Sequence, residues 1–192
     1  MQESASGLRA RLIDVGVDLV AREGAQALTL REIARRAGVS HGAPRRYFAT
    51  HLELLSAIAR RGFEELGRRA TAAAGDETSS PRAQVAALGR VYLEFALGNR
   101  GMYELMFRHD LLESGHLGLR DTSLPLFGRL VDLVGRVRPD ADARLLAGAL
   151  WANLHGIAQL WGWGSLQLAT DTDDFAPLLR ASLDAHLGPV GE

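Results

Sequence analysis

Cysteine is absent from the 192 residues, and so is lysine. Without cysteine there is no disulfide framework, no thiolate nucleophile and no cysteine-ligated zinc. Without lysine, all 22 basic side chains are arginine, as a GC-rich bacterial genome would favour. Strand signals are few. A secretory leader is missing from the start, since residues 1–11 carry charges and no apolar core, so a cytoplasmic location is expected. Catalytic signatures are missing as well: there is no Gly-x-Ser-x-Gly elbow and no phosphate loop. Gly162-Trp-Gly164 lacks the third glycine of a dinucleotide fingerprint and follows no strand. Glu113 and His116 have di-iron spacing, but such a site needs a second copy of the pair and two further inward glutamates. Neither enzyme activity, nor a cofactor, nor a metal is expected.

Residues 145–170 contain no Asp, Glu, Lys or Arg. A run of that length raises the question of a membrane span. Asn153, His155 and Gln159 sit in its middle, four glycines (148, 156, 162 and 164) interrupt it, and no arginine cluster flanks it to set an orientation. No membrane partner is expected. A helix apolar on every side is otherwise buried on every side. A second copy of the chain is the simplest source of the missing wall, and a two-fold dimer is the commonest closed assembly.

What is present in quantity is helical periodicity. Leu8, Leu12, Val15, Leu19 and Val20 form one stripe, ended by Gly24. Leu30, Ile33, Ala34 and Ala37 form a shorter one, closed by Gly38, with Thr29 and Glu32 as a capping box and Leu28 and Ile33 as its hydrophobic staple. Ser40 is placed to cap a third helix running to about Phe48, and Thr50 with Glu53 opens a long fourth one. Residues 75–82 read as a loop, with Ser80 as cap and Pro81 at the first helical position of the next helix. Later stripes run through Val85 to Phe95, through Phe127 to Val134, from a cap at Asp140 to Trp161, and through Phe175 to Leu183. The expected fold is all-α with about nine helices. A three-helix head (1–50) carries a helix-turn-helix, and a larger helical body (51–192) follows.

Charge is also unevenly divided along the chain. Residues 1–69 hold 12 Arg against 8 acids, a balance of +4; residues 70–192 hold 10 against 15, a balance of −5. A basic head on an acidic body points to a polyanion at the head. Within 29–48, a short helix, a turn at Gly38 and a second short helix match a helix-turn-helix. Gly42 and Ala43 are small enough to let backbone approach DNA. Arg45 and Arg46 can reach guanine edges or phosphates, and Tyr47 a phosphate oxygen. The amides opening the second and fourth helices are candidate anion sites, with Arg31 and His51 in their first turns.

The run Leu28-Thr-Leu-Arg-Glu-Ile-Ala-Arg-Arg-Ala-Gly-Val-Ser40, followed by Gly42, Tyr47-Phe48 and Leu54-Leu55, resembles the DNA-binding domain of the TetR family of transcriptional regulators. Trp151, His155-Gly156 and Tyr103 to Phe107 are similar to one C-terminal subtype of that family, marked by a Trp/His-Gly motif. The resemblance implies a homodimeric repressor that binds a palindromic operator on double-stranded DNA and is released by a small-molecule effector. By position, its DNA contacts fall on Arg31, Ser40, His41, Gly42, Ala43, Arg45, Arg46, Tyr47 and His51. Pro44 departs from the pattern where a leucine often packs. It removes an early hydrogen bond, which is expected to tighten the first turn. Arg45 stands where tyrosine is usual, and His51 replaces the common phosphate-binding lysine.

An effector site needs apolar and aromatic lining with a few polar groups. Phe95, Met102, Tyr103, Met106, Phe107, Phe127, Trp151 and His155 are the candidates; the alternative is that they are core, and that His155 is a satisfied core histidine. The dimer seam is expected from Leu150, Leu154, Trp161, Leu178, Leu179 and Leu183, in a four-helix bundle with the second copy. Two alternatives stay open: a DNA-binding dimer without an inducer, and an activator in place of a repressor.

Overall fold

Side-chain caps fix several of the helix starts. Thr29 Oγ1 accepts from Glu32 N at 3.2 Å, Thr50 Oγ1 from Glu53 N at 3.1 Å, and Ser80 Oγ from Ala83 N at 3.2 Å. Each satisfies an amide that the helix itself cannot pair, a contribution of about 1 kcal/mol. The computed structural model describes residues 5–73, 79–113 and 118–189; loop residues 75–78 and His116 fall outside them. Among the described residues there are ten α-helices, two 3-10 turns and no strand. The helices are α1 (Ala5–Glu23), α2 (Leu30–Arg36), α3 (His51–Ala73), α4 (Pro81–Gly98), α5 (Arg100–Met106), α6 (His109–Glu113), α7 (Leu119–Val137), α8 (Ala143–Gly162), α9 (Ser165–Thr170) and α10 (Ala176–Leu187). The 3-10 turns are Ala25–Ala27 and Pro44–Arg46.

Three elements differ from expectation. The helix expected from Ser40 to Phe48 is reduced to the turn Pro44–Arg46. The cap of α8 is Asp142 and not Asp140: Asp142 accepts from Arg144 N and Leu145 N, each at 3.0 Å, while Asp140 is held by the Arg138 guanidinium at 2.9 Å. The charge-free run is split at Trp163–Gly164 into α8 and α9, and no helix among the described residues is long and apolar enough to cross a membrane.

Packing divides the chain into two compact units, Met1–Glu65 with Asn99–Ser123, and Leu66–Gly98 with Leu124–Glu192. α3 begins at His51, and α5 packs on α1 although it follows α4 in sequence. In the first unit α1 lies against α2 and α5. Leu12, Leu19, Ile33, Phe48, Leu54 and Ile58 are fully enclosed, at about 1.5–3 kcal/mol each. The contact between α1 and α5 depends on Gly101. A Cβ there would lie 2.5 Å from the Val20 carbonyl oxygen and 3.0 Å from Gly24 Cα, both backbone atoms. In the second unit α4, α8 and α10 pack mutually around Leu93, Phe95, Ala147, Leu150, Leu154, Leu179 and Leu183. Arg82 at the start of α4 bonds Asp184 near the end of α10 at 2.5 Å.

Candidate functional site

The helix-turn-helix begins with α2 and a sharp stop. Gly38 adopts φ +66°, a conformation cheap only for glycine. Gly38 N bonds the Arg35 carbonyl at 3.2 Å and Val39 N bonds the Ala34 carbonyl at 3.0 Å, the paired bonds of a Schellman stop. After it an α-helix capped at Ser40 would need the residue-44 amide to donate to the Ser40 carbonyl. Pro44 has no amide hydrogen, and its ring crowds that carbonyl. The Ser40 carbonyl accepts from Ala43 N at 2.9 Å instead, and the chain continues through Arg46 N to Ala43 O (3.1 Å) and Tyr47 N to Pro44 O (3.0 Å). The tightening expected of Pro44 thus extends over the whole segment.

This geometry sorts the side chains. Ala43, Pro44 and Phe48 turn into the first unit, Ala43 at 8% exposure. Ser40, His41, Gly42, Arg45 and Arg46 face solvent, as does Arg31 on α2, and Tyr47 is half-buried. The Arg9 guanidinium lies 5.0 Å above the Phe48 ring and holds the end of the turn from behind by a cation–π contact.

Not every arginine here is available. Glu32 holds Arg35 at 2.6 Å and Arg36 at 2.6 Å, and Glu23 bonds Arg36 from the end of α1. Hydrogen bonds from Arg35 and then Arg36 lower the Glu32 carboxyl to about 2. The helix starts expected to bind anions are also partly committed. Glu32 N is bonded to Thr29, Glu53 N to Thr50, and Ala49 N to Glu53 Oε2 at 2.7 Å. His51 Nε2 donates to the Leu28 carbonyl at 2.6 Å, so the ring ties the start of α3 to the segment before α2.

In the second unit, α8 shows three distinct faces. Ala147, Leu150, Leu154, Ile157 and Ala158 are buried within the chain. Leu150 and Leu154, with Leu179 and Leu183 of α10, are buried within the chain; the same spacing serves core or seam. Trp161 and Leu178 are half-buried, and the Trp161 ring meets Phe175 edge-on at 6.2 Å. A second face, Leu145, Ala149, Ala152, Gly156, Leu160 and Trp163, is apolar and open, with Leu145 at 73% and Trp163 at 63% exposure. The third face carries Trp151 and His155. Tyr92 of α4 meets both: its Oη lies 2.8 Å from His155 Nδ1 and accepts from Trp151 Nε1 at 3.3 Å. The Phe127 ring of α7 is 6.0 Å from Trp151. Burial pushes His155 below the usual imidazole range.

The eight residues expected to line an effector site are divided between the two units. Met102, Tyr103, Met106 and Phe107 belong to the first unit. There Met102 and Met106 press on Gly62, and the Phe107 ring stands edge-on to Phe63 at 5.7 Å. Phe95, Phe127, Trp151 and His155 belong to the second. Phe95 is enclosed, with the Arg69 guanidinium 5.5 Å from its ring. Tyr92 is the residue that sequence spacing missed. It reads as one more member of the α4 stripe, and its partners lie 59 and 63 residues away.

Known proteins agree with the two halves of this picture. Residues 12–58 match the bacterial regulatory proteins of the tetR family, and residues 85–183 match the tetracyclin repressor-like C-terminal domain. A helix-turn-helix transcriptional repressor of Mycobacterium tuberculosis is 28% identical over 173 residues, 90% of this chain and 76% of its own. Among solved structures, a protein of unknown function from Rhodococcus sp. RHA1 is similar with TM-score 0.80 and 29% identity, covering 97% of this chain and 95% of that one. The multidrug binding protein EbrR, solved with imidazole, is similar with TM-score 0.63 and 27% identity, over 96% of each chain. The exposed basic turn, the helical body behind it in sequence and matches to both family domains place the chain in the TetR family: it is a DNA-binding transcriptional regulator and not an enzyme.

Proposed function

We propose that the chain is a repressor that binds a palindromic operator as a homodimer and leaves it when a small lipophilic effector occupies the body. One observation carries the reading. Arg45 and Arg46 are exposed on a turn whose other side chains, Ala43, Pro44 and Phe48, are sunk into the first unit. Two guanidiniums on a packed turn suit base edges and phosphates. Arg31, Ser40, His41, Gly42 and Tyr47 complete the proposed contacts. Ala43 is left out because it is buried. His51 is proposed as a brace, since its Nε2 already donates to the Leu28 carbonyl.

The second copy is proposed to cover the open apolar face of α8 from Leu145 to Trp163, together with Leu178, Ala181 and Ala185 of α10. Small residues in mid-stripe allow close helix approach, and a four-helix bundle across a two-fold axis follows. The two turns would then meet half-sites about 34–36 Å apart. An effector that prefers the released arrangement would shift binding by about 1–3 kcal/mol. Its existence is supported by the multidrug-binding description of EbrR, and repression by the name of the mycobacterial relative. Selection of the full chain against a random duplex library tests the reading. Enrichment of one symmetric sequence, bound by a dimer and lost in Arg45→Ala, is expected; enrichment of no symmetric sequence would refute it.

A further inference from the structure

Buried side chains hold the DNA-facing turn at both ends. Ala43 and Pro44 are sunk before the two exposed arginines, and Phe48 after them, at 1% exposure. The stretch between is a single 3-10 turn, closed by Arg46 N to Ala43 O at 3.1 Å, Tyr47 N to Pro44 O at 3.0 Å and Phe48 N to the same Pro44 carbonyl at 3.0 Å. A turn this short has poor hydrogen-bond geometry of its own, so the place of the Phe48 ring decides where residues 45 and 46 point. The Arg9 guanidinium lies over that ring, with Cζ 5.0 Å from the ring centroid. Arg9 precedes Leu12 and Ile13 by one helical turn, and both are buried on α1, so its backbone is fixed to the same unit. Arg35, Arg36 and Arg61 of this unit meet carboxylates; Arg9 meets an aromatic face.

We propose that Arg9 is a positioning residue for DNA recognition: through the Phe48 ring it fixes the end of the turn, and with it the aim of Arg45 and Arg46. The inference rests on the contacts proposed above for those two arginines. It needs neither a symmetric operator nor an effector. The negative face of the ring attracts the guanidinium. A carboxylate in its place would hold Arg9 as well but would add a negative charge next to the turn that meets DNA; the ring holds it and leaves the basic balance intact. Arg9 acts on sequence discrimination through Phe48 and not by touching DNA. Its effect is bounded by the strength of one cation–π contact, since losing that contact only lets the turn sample other orientations.

Full-chain variants test this on the duplex that the wild type enriches most from a random library, symmetric or not. The readout is the ratio of its affinity to that for a scrambled duplex of the same composition. Arg9→Gln is expected to lower the ratio about two- to fivefold, the worth of one partly exposed cation–π contact. Arg9→Lys should fall between wild type and Arg9→Gln, because an ammonium on the ring keeps part of the attraction. Backbone amide signals of residues 43–48 should shift in Arg9→Gln. In a Phe48→Leu background, adding Arg9→Gln should lower the ratio no further. An unchanged ratio in Arg9→Gln, equal losses in the Gln and Lys variants, or unmoved amide signals overturns the proposal, and these readouts stand whether or not Phe48→Leu folds. A loss that persists in the Phe48→Leu background also overturns it; with a salt slope lowered by about 0.9, that loss would make Arg9 a phosphate contact. Arg45→Ala in the same assay separates the two readings. A ratio lost in Arg45→Ala but kept in Arg9→Gln removes only this inference; a ratio kept in both removes the contacts proposed for the turn as well.

Discussion

The DNA-facing turn and α8 solve opposite problems. Around the turn charge is plentiful, and structure decides which charges stay available. Arg35 and Arg36 are committed to Glu32 and Glu23, Arg60 bonds Glu64 and Arg61 bonds Asp14, whereas Arg45 and Arg46 stand exposed. Along α8 there is no charge from 145 to 162, so only shape and exposure tell one face from another. A basic segment should therefore be read by subtracting its internal pairs, and an apolar helix by asking which of its stripes its own chain covers.

The comparison breaks most visibly where an aromatic is removed. Phe48→Ala empties an enclosed site and should lower stability by about 3–5 kcal/mol. Trp163→Ala removes a larger side chain that is 63% exposed, and should cost less than about 0.5 kcal/mol in the dissociated chain while weakening self-association. Urea unfolding at two protein concentrations, with sedimentation for the oligomer, separates the two effects. A Trp163 penalty as large as that of Phe48 would make the open stripe part of the core.

The next effect sharpens the division among arginines. Arg45→Ala should weaken binding to the selected operator by about 1–3 kcal/mol, or about 5- to 150-fold. Arg35→Ala should change it less than threefold, since that guanidinium already bonds Glu32 through two nitrogens. Fluorescence anisotropy over a range of salt adds a second readout. Loss of one phosphate contact lowers the slope of log affinity against log salt by about 0.9. Equal losses for the two variants would mean that local pairing does not decide availability.

A smaller change concerns the turn itself. Pro44→Ala restores the amide that the Ser40 carbonyl lacks, and residues 41–48 should gain α-helical carbon shifts with a stability change within about 1 kcal/mol. Operator preference should move with the altered aim of Arg45 and Arg46. Unchanged shifts would show that burial of the turn, and not the missing amide, dictates its form.

What could be read in advance follows from the range of each interaction. The caps at Thr29, Thr50 and Ser80 join residues three apart, and a stripe such as Leu12 to Val20 lies on one helix; both are visible in linear order. Pro44 was legible in kind, because its missing hydrogen is covalent fact, but the extent of its effect depends on how Ala43 and Phe48 pack. Leu150 and Leu179 show the opposite limit. Apolar spacing reports that a side chain is buried and not by whom, so core and seam look alike until the packing of α4, α8 and α10 is known. The bond from Tyr92 to His155 spans 63 residues and leaves no local signature.

The smallest expected effect tests whether the internal pairs of the basic region matter to folding at all. Glu32 is held at about 2 in the folded chain against an ordinary value of 4.5, first by its hydrogen bond from Arg35 and then by that from Arg36. A carboxyl whose folded value is depressed binds its proton more readily when unfolded, so its stabilising contribution is present above about 4.5 and fades as pH falls from there through about 2. Glu32→Gln removes that titration. The stability difference between wild type and variant should therefore be largest near neutrality and close between pH 4.5 and 2. It should also shrink in high salt, because these side chains are partly exposed and their attraction is screened. A difference that stayed constant across that pH window would assign Glu32 a packing role. A difference that was absent at every pH would mean that Glu32 serves only to withhold Arg35 and Arg36 from DNA, which Glu32→Gln would then reveal as a gain in non-specific duplex binding.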